Sequence, residues 1–419
     1  MTNKVIVFIN PHFTLGGVDT YFYRMIKWLS ARDIRTILLL TKNAKVDEKM
    51  IEEVTHLGTQ VRKEIEPYPL TGEMSPTHIV LHLEPGTEVT TITTRYAGFF
   101  QAQQLKIDNP RLNFTFMNYM THEHGFKADI EEFDKSKMGM AKYYFHKIRY
   151  QFYKNLTSKV FTSKELYFQN DIHRYSLYDY YHIDHSKTMG PNIHLGIDIP
   201  ELDEEAIKRR CNRTTFQILT IARFEFPFKG YLLQLVEQFA ELCEKYDNLQ
   251  LTIIGGGPDE KRLLDRIATL PVEVQKKIEL PGFVDYERLK EYFNQTSLYV
   301  GQGTTVLDAG KQGLLAVPVS SYTEGSTSYS YLYEYVEIYA PEPKYKTSYF
   351  IEKTIAMTDE EYIEASKKTY ENVKKEMDLN NVMPQILAVK NGEKRYEMPQ
   401  WEISIIKKIN MLIQGRRRK

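Results

Sequence analysis

Two cations, Arg223 and Lys229, stand in the loop after an apolar run at residues 216–221, which predicts a buried strand. In an open α/β sheet, ligands bind at the carboxyl ends of the strands, so binding residues are expected in such a loop. An arginine and a lysine here can hold an anionic group of a ligand by charge-assisted hydrogen bonds. The alternative is a pair of solvated surface cations.

Glycines follow several of the predicted strands, at places where the backbone can approach a ligand closely. Gly16 and Gly17 separate the first strand from a helix whose N-terminus offers free N–H groups to an anion. The same pair also suits a tight strand-to-helix turn. Gly256 and Gly282 follow two later strands, although glycines often end strands for purely structural reasons.

Strands and helices alternate along most of the chain. Continuous apolar strands and amphipathic helices indicate parallel sheets covered on both faces. A first strand lies at residues 4–9, and a second series of strands and helices begins near residue 215. We therefore predict an α/β protein with two similar domains and a cleft between them, at residues 1–190 and 191–385, followed by a C-terminal segment, 386–419, with a basic end.

Composition narrows the function. The chain has 419 residues with 55 Lys and Arg against 55 Asp and Glu, and this zero net charge argues against a general nucleic-acid binder. Its two cysteines, Cys211 and Cys243, form no Cys-x-x-Cys pair, which excludes a thiolate zinc site and a framework of several disulfides. No apolar run approaches the ~20 residues needed to span a bilayer. We expect a cytoplasmic protein.

These segments, in this order, resemble the retaining GT-B glycosyltransferases of family 4 (glycosyl transferases group 1), from Val5 to about Val319. The resemblance implies a GT-B fold, in which an acceptor-binding and a nucleotide-sugar-binding Rossmann-like domain face each other across a cleft. It implies that a C-terminal helix braces the first domain. It also implies retaining transfer from a nucleoside-diphosphate sugar, with a UDP-sugar as the expected donor and no metal or other cofactor.

The resemblance also assigns residues to the site. Arg223 and Lys229 match the pair that holds the donor diphosphate, although the loop here carries one extra residue. His124 stands where the family often has a histidine near the reacting carbon, and a loop histidine without a catalytic role is the alternative. The other residues assigned by these motifs to the nucleotide sugar are Gly16, Gly17, Gly256, Gly282 and Val284.

One segment departs from the family pattern, in which a Glu precedes Gly-x-Gly and a second Glu follows it. Asp308 falls at the second acidic position, where a carboxylate would accept the ribose hydroxyls. Val300 falls at the first, so the usual carboxylate contact with the donor sugar is missing. Candidates to replace it are Thr304 and Thr305, by a hydroxyl or a backbone N–H, and Glu324, by its carboxylate. Gly303, in the Gly-x-Gly itself, is also assigned to the nucleotide sugar.

Residues 135–164 carry a separate signal, because they hold eight Lys and Arg, several aromatics and no carboxylate. A basic, aromatic helix suits an anionic membrane surface or a lipid-phosphate acceptor. The alternative is a solvated helix that packs its aromatics inward.

The sequence thus predicts a hexosyltransferase that acts on a glycan or lipid-linked acceptor in cell-surface polysaccharide assembly, at the inner face of the cell membrane. Its expected partners are a nucleotide sugar, the acceptor and a peripheral membrane contact, without nucleic acid; the oligomeric state stays open. The alternative, supported by Val300, is a catalytically silent GT-B-fold subunit that binds or stabilises a glycosylation complex. A sugar-nucleotide epimerase is a third interpretation, for which the sequence shows no acid/base carboxylates.

Overall fold

The computed structural model of the protein describes residues 4–14, 16–68, 74–121, 125–127, 139–184, 192–211, 214–338, 343–392, 396–404 and 407–408. The chain divides into two compact units, Met1–Gly196 with Leu379–Lys419, and Ile197–Asp378. The domain boundaries expected after residues 190 and 385 lie near these divisions and stay predictions of domain extent.

The strands of the described residues are β1 (Lys4–Ile9), β2 (Arg35–Thr41), β3 (Gln60–Ile65), β4 (Glu88–Thr93), β5 (Asn113–Met120), β6 (Leu166–Phe168), β7 (Phe216–Arg223), β8 (Leu249–Gly256), β9 (Ile278–Gly282), β10 (Leu298–Gly301), β11 (Ala316–Pro318), β12 (Thr327–Ser328) and β13 (Tyr345–Lys346). The first unit has a parallel sheet in the order β3-β2-β1-β4-β5-β6. The second has a parallel sheet in the order β11-β10-β7-β8-β9, and β12 and β13 form an antiparallel pair.

The helices of the described residues are α1 (Gly17–Ser30), α2 (Glu48–His56), α3 (Tyr96–Asp108), α4 (Met140–Thr162), α5 (Asp171–Tyr181), α6 (Glu204–Cys211), α7 (Tyr231–Cys243), α8 (Glu260–Ala268), α9 (Val272–Gln275), α10 (Leu289–Gln295), α11 (Thr304–Gly310), α12 (Thr347–Ile355), α13 (Asp359–Met377) and α14 (Leu379–Leu387). Several begin at a side chain that caps a free N–H, which stabilises a helix by ~1 kcal/mol. Asp47 caps α2, Asn170 caps α5, and Thr358 with Glu361 forms a reciprocal capping box on α13.

Apolar strands explain why both sheets are interior. Residues Val5 to Ile9 of β1 are all buried, as parallel strands covered on both faces require. In the second unit, Phe239 of α7 shares a hydrophobic core with Leu251 of β8 and Val300 of β10. Burying a side chain of this size stabilises the fold by ~1.5–3 kcal/mol.

The strand order reverses once in each sheet, between β1 and β4 and between β7 and β10. Chain connections leave on opposite sides at such a point, which opens a crevice at the carboxyl ends of two neighbouring strands. In the second unit β7 ends at Arg223 and β10 ends at Gly301. The loops that follow these strands therefore lie side by side.

The C-terminal residues that the structure describes pack within the first unit. The Lys4 Nζ donates a hydrogen bond to the main-chain oxygen of Leu387 at 2.5 Å, next to the end of α14. Met398 and Ile403 join an aromatic core that includes Phe99. The basic end, 409–419, lies outside the described residues.

A close approach between β7 and β8 explains two glycines of the 255–257 segment. Gly255 has φ +133°, and a Cβ there would lie 1.9 Å from the main-chain oxygen of Ala222. A Cβ on Gly257 would lie 2.4 Å from the main-chain oxygen of Phe224. The ends of these strands can therefore meet only because both residues lack a side chain.

The substitution Gly255→Ala is expected to lower the free energy of unfolding by roughly 2–4 kcal/mol, because it adds a steric clash and an unfavourable φ. Urea unfolding measures the change. Gly17→Ala in the first turn of α1 is the matched control, since a Cβ at Gly17 meets nothing within 4 Å. Equal effects of the two substitutions would contradict the clash.

Candidate active site

Four of the candidate residues lie at one edge of the sheet in the second unit. Arg223 ends β7 and pairs with Gly256 at the end of β8. Gly282 ends β9 and pairs with Ile254 of β8. Gly303 follows β10, which is the other neighbour of β7. Since the strands are parallel, all of these residues belong to the carboxyl edge, where ligands of open α/β sheets bind.

Lys229 is a buried cation, with a residue exposure of 8%. Its Nζ donates a hydrogen bond to the main-chain oxygen of Gln302 at 3.2 Å and lies 4.7 Å from the centroid of the Phe228 ring. Burial lowers the pKa of Lys229 to about 7, and no carboxylate of the described residues opposes that shift. A buried ammonium without a counterion is a favourable place for an anionic group of a ligand.

Arg223 is arranged differently, because its side chain is 71% exposed at the strand end, with Nε 3.4 Å from a carboxylate oxygen of Glu225. Such an exposed ion pair contributes little stability, so the guanidinium can exchange it for a phosphate oxygen. The structure thus presents a solvated cation, Arg223, at the end of β7 and a buried cation, Lys229, in the loop that follows.

The turn from β10 into α11 requires a glycine. Gly303 has φ +81° and ψ −162°, a region that only glycine adopts readily. A Cβ there would lie 3.6 Å from the Nζ of Lys229. Thr304 is half-buried at the start of α11, whereas the Thr305 hydroxyl accepts a hydrogen bond from the buried Tyr299 hydroxyl at 2.6 Å. Gly303 therefore lies beside Lys229, and the Thr305 side chain is occupied by a bond within the protein.

Asp308 is 3% exposed and already paired. It accepts a hydrogen bond from Lys311 Nζ at 2.8 Å and one from the Tyr286 hydroxyl at 3.0 Å. Burial disfavours the Lys311 ammonium, but its interactions with Asp308 and Tyr286 together outweigh burial and raise the pKa of Lys311. The sequence interpretation missed Lys311, although an acid and a base three residues apart on a helix are neighbours. A ribose would have to bind alongside this Asp308–Lys311–Tyr286 cluster.

Val300 has no access to a ligand, because it lies inside β10, is fully buried and pairs with Val317 of β11. A carboxylate at this place would be buried in a hydrophobic core without a partner, at a cost of several kcal/mol. Glu324 forms an ion pair with Arg262. The described residues thus supply no carboxylate in the place of the first family Glu, for a packing reason.

The ends of β8 and β9 carry an aromatic side chain that the sequence interpretation missed. The ring of Phe283 is 82% exposed and lies over Gly256, where a Cβ would come within 2.7 Å of it. Gly282 has φ +74°, and Val284 is half-buried. The signal available in the sequence was an aromatic residue directly after Gly282 at a strand end.

In the first unit, Gly16 and Gly17 begin α1 as expected, and the space beside Gly17 is open. Asp19 fixes the preceding loop, because it accepts a hydrogen bond from the main-chain N–H of Thr14 at 2.7 Å and one from Asn10 Nδ2 at 2.5 Å. Burial raises the pKa of Asp19. His124 lies outside the described residues.

The described residues contain no group of three or more His, Cys, Asp and Glu side chains that could hold a metal ion. Across the same residues, every helix is too short or too polar to cross a bilayer. The expectation of a metal-independent reaction stays a prediction.

Part of the chain matches a known protein family. Residues 203–325 match the family model of the Glycosyl transferases group 1. This segment contains both cations, the glycines of the second unit and Asp308. Comparison with curated protein sequences finds no match.

Solved structures show the fold. A glycosyltransferase from Rickettsia africae has 14% identity, covers 92% of this chain and 97% of its own, and gives a TM-score of 0.59. HepE from Anabaena, in complex with UDP and glucose, has 13% identity over 92% and 98% of the two chains, with a TM-score of 0.57. A mutant of TarM from S. aureus, in complex with Fondaparinux, alpha-GlcNAc-glycerol and UDP, has 11% identity over 92% and 99%, with a TM-score of 0.58.

The fold is GT-B. The prediction of an α/β chain with two Rossmann-like parts and parallel sheets is confirmed. Identities this low carry nothing about donor or acceptor.

Because Lys229 is buried, the free energy of unfolding is expected to depend on pH. Its folded-state pKa of about 7 lies below the ordinary lysine value of 10.5, so between these values the unfolded chain binds more protons. The free energy of unfolding then rises with pH across this window. We expect Lys229→Met to be more stable than the wild type at pH 6, with the difference shrinking as pH rises to 9, in urea unfolding.

Lys311→Met is the control, because this lysine is paired with Asp308 and its loss removes the cationic partner of a buried carboxylate. It should destabilise the protein by ~3–5 kcal/mol at neutral pH. If the difference in stability between Lys229→Met and the wild type is the same at pH 6 and pH 9, the lowered pKa of Lys229 is wrong.

Proposed function

We propose that the protein is a glycosyltransferase that moves a hexose from a nucleoside-diphosphate sugar to an acceptor hydroxyl. The observation that carries the proposal is the buried Lys229 ammonium, which meets no carboxylate among the described residues and lies beside the Gly303 turn. Its position within the segment that matches the Glycosyl transferases group 1 supports the same conclusion. A protein that bound no anion would keep a desolvated charge for no benefit.

In the proposed reaction the bond between the sugar's anomeric carbon and the diphosphate oxygen breaks, and a bond to the acceptor oxygen forms. Lys229 and Arg223 neutralise the charge that builds on the leaving diphosphate, which lowers the barrier. The acceptor's proton passes to the leaving phosphate on the same face of the sugar. Such a front-face step retains the anomeric configuration, needs no separate base and needs no metal.

A UDP-sugar is the donor we propose, and a glycan or lipid-linked glycan is the acceptor, as in cell-surface polysaccharide assembly. The complexes of HepE with UDP and of TarM with UDP and alpha-GlcNAc-glycerol support this choice of chemistry. The exposed Phe283 at the end of β9, next to Gly282 and Val284, offers an apolar face for a base.

A second candidate function is a GT-B-fold subunit that binds a nucleotide sugar or a partner without transferring sugar. The specific observation in its favour is Val300, which takes the place of a carboxylate and is fully buried. A donor-hydrolysis assay separates the two functions, because only the transferase turns the donor over.

Calorimetric titration with UDP, GDP, ADP and their glucose or mannose derivatives tests the proposal, followed by donor hydrolysis. Arg223→Ala is expected to lower turnover by about 10²–10³-fold with the fold intact, because one stabilising contact to the leaving group is lost. Arg266→Ala, in the last turn of α8 and ion-paired with Glu237, is the control and should leave turnover unchanged. Failure of every nucleotide to bind would overturn the proposal.

We also propose a membrane contact, which involves fewer residues of α4 than the sequence suggested. Tyr150 and Tyr153 of α4 pack into the core of the first unit, so for these side chains the inward-packing alternative holds. Met140, Tyr144 and Ile148 instead form an exposed stripe, with exposures of 60%, 49% and 67%. They are four residues apart and therefore share one face of the helix. The lysines and arginine of α4, without a carboxylate, suit an anionic lipid surface.

Ile148→Glu should weaken sedimentation with vesicles that contain phosphatidylglycerol by about tenfold, because it removes an apolar contact and adds repulsion. Binding to pure phosphatidylcholine should be weak for both proteins. Val272→Glu on the second unit, where Val272 is 63% exposed, is the control. If vesicle binding falls equally in Ile148→Glu and Val272→Glu, or falls in neither, the proposed membrane contact of Met140, Tyr144 and Ile148 is wrong.

A further inference from the structure

Two loops of the second unit meet at the carboxyl edge of the sheet. The main-chain N–H of Tyr322, in the loop after β11, donates a hydrogen bond to the main-chain oxygen of Phe228 at 3.3 Å. A Cβ on Gly230 would lie 2.7 Å from the main-chain oxygen of Thr323. The loop after β11 therefore packs directly on the loop after β7 that carries Lys229.

An aromatic pair forms at this contact. The rings of Phe228 and Tyr322 have centroids 5.1 Å apart and are inclined by 46°. The ammonium of Lys229 lies 4.7 Å from the centroid of the same Phe228 ring. The Tyr322 residue is 49% exposed. A solvent-accessible ring thus lies one side chain away from the buried cation.

The backbone at Tyr322 is strained. Its φ is +56°, in the left-handed region that glycine adopts without penalty and a bulky residue does not. Contacts of the residues directly after Tyr322 hold the loop in this form: Glu324 pairs with Arg262, and the Gly325 N–H donates to the Thr323 hydroxyl at 3.0 Å. A tyrosine at a place that suits glycine points to a use for the ring, since such strain persists mainly at functional positions.

The sheet order gives the direction in which a donor would lie. Across the carboxyl edge the strands follow each other as β9, β8, β7, β10 and β11. The candidate base contacts follow β9, and the cations for the diphosphate follow β7. A nucleotide sugar that runs from β9 to β7 continues towards the loops after β10 and β11, where Tyr322 lies. Its sugar ring is then on the Tyr322 side of the diphosphate.

We propose that Tyr322, backed by Phe228, stacks on the ring of the transferred sugar and determines which sugar is accepted; this rests on the proposed glycosyltransferase function. One face of a pyranose presents C–H groups, which suit the apolar face of an aromatic ring. Val300 leaves the sugar without the usual carboxylate, so a stacking contact supplies recognition that does not depend on a charged hydrogen bond.

The test compares nucleoside diphosphates with the matching nucleotide sugars by calorimetry: UDP and UDP-glucose, GDP and GDP-mannose, ADP and ADP-glucose. Tyr322→Gly should leave the Kd of the bound diphosphate unchanged and raise the Kd of its sugar derivative about tenfold, the loss expected for one stacking contact. Tyr322→Phe should bind both like the wild type. The unfolding midpoint of Tyr322→Gly should not fall, because glycine relieves the strained φ.

His182→Gly is the matched control, because His182 at the end of α5 also has a positive φ, +51°, and lies in the first unit. It should leave both affinities unchanged. If a diphosphate binds and the ratio of the two Kd values is the same in Tyr322→Gly and the wild type, the stacking proposal is wrong while the proposed function stands. If no diphosphate binds the wild type, the proposed function itself fails.

Discussion

The candidate site depends on an ammonium that the fold removes from water, with no carboxylate beside it in the part of the chain that the structure describes. Lys229 lies between the Phe228 ring and a main-chain oxygen of Gln302, and the cost of desolvation lowers its pKa to about 7. A ligand phosphate would regain the lost solvation, so the free protein is poised towards anion binding. Lys229 thereby lowers the stability of the free protein and favours the binding of an anion. Such a trade-off between stability and activity is common at functional sites.

The backbone around Lys229 has a geometry that requires glycine at several positions. β7 and β8 can end side by side because Gly255 and Gly257 have no side chain, and the turn into α11 needs the positive φ of Gly303. These constraints bring the loops after β7 and β10 together at the point where the strand order reverses. Steric exclusion of a Cβ, more than any single hydrogen bond, sets the shape of the edge.

Two positions separate this chain from the pattern it resembles. Val300 belongs to the core, so packing forbids a carboxylate there, and Asp308 is held by Lys311 and Tyr286. In the proposed function, both changes reduce the negative charge that is available to a sugar and a ribose. Aromatic side chains are prominent instead: Phe283 is exposed beyond β9, and Tyr322 is exposed beyond β11. Recognition by apolar faces is consistent with the proposed site, in which a buried valine takes one acidic position and the aspartate at the other is already paired.

The order of strands and helices could be predicted because apolar periodicity is local in sequence. The pattern at residues 4–9 and the second start near residue 215 gave the α/β class, and both sheets are parallel as expected. The position of Arg223 and Lys229 at the edge of the sheet could be predicted because both follow the apolar run of β7. Whether the aromatics of α4 face inward or outward could not be predicted, since that depends on which neighbour the helix meets.

Residue type and spacing by themselves determined the fold class, the two series of strands and the cations at a strand end. Only the tertiary structure decided that Lys229 is buried, that Asp308 is paired and that Tyr322 contacts Phe228. The reason is physical: burial and pairing depend on groups far apart in the chain, such as residues 228 and 322. Periodicity reports only the direction in which a side chain points from its own element.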